Sequence, residues 1–86
     1  MIIKQAYEKL QTDGRPVTLT MYNAMFDITF DNNGVWDETQ FTVCGEAGKQ
    51  QIIEALSEFY ADFCKTEGIG NNTVLSITYV GRDPEA

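Results

Sequence analysis

The tetrapeptide Asp31-Asn32-Asn33-Gly34 constrains this chain more than any other segment. It lies between stretches in which apolar and polar residues alternate. Phe26, Ile28 and Phe30 alternate with Asp27 and Thr29 before it, and Phe41 and Val43 share one face after it. Asn and Gly tolerate positive φ, so Asn33-Gly34 favours a type I′ turn whose twist matches that of the two flanking strands. The arm after the turn is expected over residues 35–44. Its polar first half (Trp36, Asp37, Glu38, Thr39) projects beyond the core.

The hairpin needs neighbours, because an isolated two-stranded ribbon is marginal in water. Residues 2–11 read as a short amphipathic helix. Ile2, Ile3, Ala6, Tyr7 and Leu10 share one arc, with Lys4, Glu8 and Gln11 opposite. Thr12-Asp13-Gly14 and Pro16 end it. Residues 17–21 alternate as a strand does, but the apolar phase slips by one between Met21 and Phe26. One continuous strand would then show opposite faces to the core, so a turn or bulge at Tyr22-Asn23-Ala24 is expected.

Gly45-Glu46-Ala47-Gly48 leads into a long helix over residues 49–67. Ile52, Ile53, Leu56, Phe59, Tyr60 and Phe63 fall within about 120° of arc at 3.6 residues per turn, the largest apolar face in the chain. Gly68 is suited to stop it. Residues 70–72 form a loop, and residues 73–80 a last strand with Leu75, Ile77 and Tyr79 on one side. Residues 81–86 read as a flexible polar tail. The element order α-β-β-β-α-β predicts a single α+β domain over residues 1–86. It is a two-layer sandwich: a four-stranded, mainly antiparallel sheet with the helices on one face. The crossover through the long helix can set the last strand parallel to a neighbour.

Composition narrows the function classes. The 86 residues are 43% hydrophobic and 12% aromatic, enough for one core. Thirteen acidic residues against six basic ones and no histidine give a net charge of -7. Phosphate contacts need clustered Lys and Arg, so direct nucleic-acid binding is disfavoured, as is an anionic membrane surface. Basic protein surfaces are attracted; solubility alone would also account for the charge. The N-terminal apolar run is too short for a signal peptide, and no stretch approaches a membrane span. Cys44 and Cys64 form neither a C-x-x-C pair nor a zinc spacing, so a cytoplasmic protein with reduced thiols is expected.

Without histidine, Ser-His and Cys-His schemes are closed. Cys64 has Lys65 beside it and Cys44 no basic neighbour, so both read as structural thiols. Asp37 and Glu38 are adjacent on a strand and point to opposite faces. The chain is therefore expected not to be an enzyme and to carry no cofactor or metal. Asp31, Asn33, Gly34 and Asp37 have part of an EF-hand spacing, but Thr29 and Gln40 stand where that loop needs carboxylates. Gly45-x-x-Gly48-Lys49-Gln50 lacks the length of a phosphate loop and the Ser or Thr after Lys. Asn71-Asn72-Thr73 matches a glycosylation sequon, with nothing to suggest secretion.

The candidate partner surface is acidic. Glu54, Glu58 and Asp62 recur every four residues opposite the apolar arc of the long helix, where like charges oppose one another. Asp27, Asp31, Asp37 and Glu38 form a second acidic group around the hairpin. Trp36 and Tyr22 lie near turns, outside the cleanest core stripes, and suit interface anchors; Trp36 would equally cap the sheet end. In size, acidity and mixed helix–sheet layout the chain resembles the small anti-CRISPR and DNA-mimic proteins of phages and mobile elements. That resemblance lies in general character and carries no shared motif. It implies an inhibitor that meets a basic nucleic-acid-binding protein, with carboxylates in place of phosphates. The alternative is a structural or assembly protein acting as a homo-oligomer, since open sheet edges invite a second copy.

Overall fold

The hairpin turn forms as its residues require. Asn33 and Gly34 take φ of 53° and 91°, and the Asp31 carboxylate accepts the Gly34 N–H at 2.7 Å. The computed structural model describes residues 2–11, 20–70 and 72–84. Along the chain run helix α1 (Ile3–Gln11), strands β1 (Thr20–Asn32) and β2 (Val35–Gly48), helix α2 (Lys49–Thr66) and strand β3 (Asn72–Arg82). The sheet order is β2-β1-β3, with both neighbours antiparallel to β1.

The class is α+β, but the described sheet has three strands where four were expected. Residues 17–19 of the expected first strand lie outside the described residues. Thr20 and Met21 belong to the same strand as Phe26, Ile28 and Phe30. The phase slip is absorbed by a bulge. Tyr22 faces Glu46 and Ala24 faces Val43, so Asn23 opposes both Cys44 and Gly45. Asn23 and Gly45 both adopt positive φ, 48° and 77°, and the Asn23 Oδ1 accepts the Gly45 N–H at 2.6 Å. The same bulge carries β2 past Cys44, so residues 45–48 are strand rather than helix approach.

The last strand also differs from expectation. β2 and β3 run in the same direction, as the α2 crossover requires, but β1 lies between them and β3 pairs with it antiparallel. Register shifts opposite Thr29/Phe30 and Met25/Phe26 turn Val74 into the core in place of Leu75 and leave Val80 exposed. Gly81 and Arg82, expected in a tail, are strand residues. Asp83 is held as well: its N–H donates to the Asn23 carbonyl at 2.8 Å and its carboxylate accepts the Thr42 hydroxyl at 2.9 Å.

Both helices cover one face of the sheet. α1 lies over β3 and α2 over β2, with the helices in contact. Ala24, Phe26, Ile28 and Phe30 of β1 meet Tyr7 and Leu10 of α1 and Ile52, Ile53, Leu56 and Tyr60 of α2 in one core. Phe26 packs edge-on to Tyr7, and Phe30 to Tyr60 and Phe63. The Gln51 side chain accepts the Gly48 N–H at the start of α2. At its end Gly68 (φ 69°) donates to Lys65 and Ile69 to Cys64, the paired bonds of a Schellman stop. No helix of the described residues is long and apolar enough to cross a membrane.

Candidate functional site

Apart from Asp37, the two acidic groups lie on opposite sides of the sheet. Side chains alternate across a strand, so the face of β1 away from the helices carries Met25, Asp27, Thr29 and Asp31. Their β2 partners by register are Thr42, Gln40, Glu38 and Trp36. Asp27, Asp31, Glu38 and Trp36 therefore share the open sheet face. Glu54, Glu58 and Asp62 belong to the helical layer, and the sheet separates the two sets. Asp37 pairs with Phe30 and so falls on the helical side, exposed at the hairpin end.

Local bonds occupy several of these carboxylates. Asp27 accepts the Gln40 amide at 2.8 Å, Asp31 holds the turn, and Asp37 accepts the Glu38 N–H at 2.8 Å. They are structural partners before they are contacts for anything else. Trp36 is 74% exposed, with no role in closing the core. Tyr22 is 51% exposed and carries the Arg82 guanidinium 4.6 Å above its ring, a cation–π contact that joins β1 to β3. Nine residue steps along β1 lead from Tyr22 to Asp31, the residue opposite Trp36, so the two aromatics stand roughly 30 Å apart at different ends of the sheet.

The helical acids adjoin a different feature. Between β2 and the facing flank of α2 runs an open groove of about 500 Å³. Phe41, Ala55, Phe59 and Phe63 form its apolar floor, and Glu58, Asp62 and Glu67 stand along it. Phe59 stacks on Phe41 with ring centroids 4.3 Å apart and 17° between planes, and Phe63 stacks on Phe59 at 6.0 Å. All three rings are half-buried, so this aromatic row is an edge of the core left open to solvent. At about 100° per residue, a spacing of four drifts round the helix. Glu54 points away from the sheet, and Glu58 and then Asp62 swing toward the groove. Glu54 accepts the Gln50 amide at 3.3 Å and does not line the groove.

The residues that sequence reasoning missed are Phe41, Phe59 and Phe63, which it assigned wholly to the core. The signal that could have found them is the crowding of three aromatics on one flank, beside the acids that follow each other by four. A smaller polar pocket of about 220 Å³ lies at the hairpin between Asp31, Asn33, Gly34, Asn72 and Thr73. Among the described residues no three Cys, Asp or Glu side chains converge as metal ligands would. Compared with known protein families, with characterised proteins and with solved structures, the chain matches none.

Proposed function

We propose that this chain is a small acidic interaction module that binds a basic protein surface through the α2 flank, in the manner of an inhibitor of a nucleic-acid-binding protein. One observation carries this reading: a row of half-exposed stacked phenylalanines bordered by Glu58, Asp62 and Glu67. Apolar floors with charged margins are the usual anatomy of protein interfaces, the floor giving affinity and the charges giving partner choice. The net charge of -7 draws basic partners from a distance. The open sheet face supports the reading less, because Asp27 and Asp31 are engaged by neighbours within the sheet.

The test uses purified basic nucleic-acid-binding domains as bait, with duplex DNA as competitor. The Glu54→Lys, Glu58→Lys, Asp62→Lys variant is expected to lose capture, the Glu38→Lys variant on the open face to keep it, and DNA to displace the wild type. Capture unchanged by the triple variant, with thermal stability also unchanged, would sink the proposal.

A further inference from the structure

We infer that the groove's occupant is an extended basic segment that pairs with the free edge of β2 and adds a fourth strand to the sheet. This rests on the α2 flank being the binding surface, and it specifies how the partner sits there. β2 is the outermost strand of the sheet, and among the described residues no strand pairs with its outer side. It is 14 residues long, and its bulge at Gly45 leaves residues 35–43 as the regular stretch available for pairing. A strand added there would lie about 4.8 Å outside β2, with every second side chain directed to the helical side. That side is the groove. An apolar residue at the middle of the added strand rests on Phe41 and Phe59. Arginine or lysine side chains to either side of it reach Glu58, Asp62 and Glu67.

Charge selects the occupant. A second copy of this chain would bring its own -7 to an edge that already carries Asp37 and Glu38. A basic strand relieves that repulsion, including the repulsion between Glu58 and Asp62 themselves. A helix laid in the groove would leave the β2 edge unpaired; an extended strand satisfies the edge and fills the groove together.

The experiment titrates the full chain with a labelled eight-residue peptide that carries arginine, phenylalanine and arginine on one face and threonine on the other. Binding is read by fluorescence anisotropy and backbone amide shifts. In an added strand only alternate residues of the peptide direct their N–H and C=O toward β2. N-methylation of one alternate set of peptide amides is therefore expected to weaken binding at least tenfold, and of the other set to leave it within twofold. Amide shifts should concentrate in residues 35–43 and on the α2 flank, and Glu58→Lys with Asp62→Lys should weaken binding at least tenfold. If both methylated peptides bind like the parent while charge reversal still abolishes binding, strand addition is overturned and the acidic flank stands. Should charge reversal also have no effect, both fall. Concentration-dependent broadening of β2 amides without peptide would assign the edge to a second copy and overturn the proposal.

Discussion

Asn23 is the residue on which the long central strand depends. It is a buried polar side chain in the left-handed region, and its Oδ1 satisfies the Gly45 N–H across the bulge while its carbonyl receives Asp83. Asn23→Ala removes the acceptor and places a residue less tolerant of positive φ there. The expected loss is about 1–3 kcal/mol for the abandoned N–H, or roughly 4–8 °C in Tm per kcal/mol for a domain of this size. Asn23→Gly keeps the backbone freedom and should lose less, so urea melts of the pair separate the bond from the conformation. Equal, undiminished stabilities would show that the bond contributes nothing. Tyr60 adds a pH dependence. Burial first, and the neighbouring Cys64 second, push its phenol well above the ordinary 10.0. Above that pH the unfolded chain releases a proton that the folded one keeps, so stability present below pH 10 declines as pH rises. Tyr60→Phe should flatten this decline between about pH 9 and about pH 11 in urea melts; an equally steep fall in the variant would locate the effect elsewhere.

At the scale of elements, α2 carries opposing demands. Glu58 has a like charge one turn away on either side, Glu54 and Asp62. Glu58→Gln should stabilise the helix by about 0.2–0.5 kcal/mol for each neighbour relieved. If the flank is an interface, the same change should weaken partner capture. A variant that melts higher and binds less marks a charge kept for function; one that melts higher and binds equally well marks a charge without one. The helix itself was legible because six apolar residues keep one 3.6-residue phase from Ile52 to Phe63. The Asn-Gly turn was legible for the same local reason. The strands were harder. The phase slip at Tyr22-Asn23-Ala24 was visible, but a bulge inside one strand and a break between two leave the same pattern. The choice depends on Gly45, which is remote in sequence. In β3, Leu75 looked inward because the bulges that favour Val74 are set by pairing with β1. The groove was hidden by the same error. Whether Phe41 and Phe59 are covered depends on which strand is outermost, and neither residue periodicity nor turn chemistry sets the strand order.

For the whole molecule, charge decides between joining a copy of itself and joining something else. The outer strand β2 has no strand paired with its free side among the described residues, and an open edge favours self-pairing. Two copies each of charge -7 repel over about 30 Å at 0.01 M ionic strength and over only about 3 Å at 1 M. The chain is therefore expected to sediment as a monomer in low salt, with any dimer growing as salt is added. Capture of a basic partner should follow the opposite course, tight in low salt and weakened as the attraction is screened. The two dependences have opposite signs because one contact joins like charges and the other unlike charges. Sedimentation velocity and partner binding along one salt series measure both. A dimer that is complete at 0.01 M would mean that the edges overcome the repulsion, and the assembly function would then displace the interaction module.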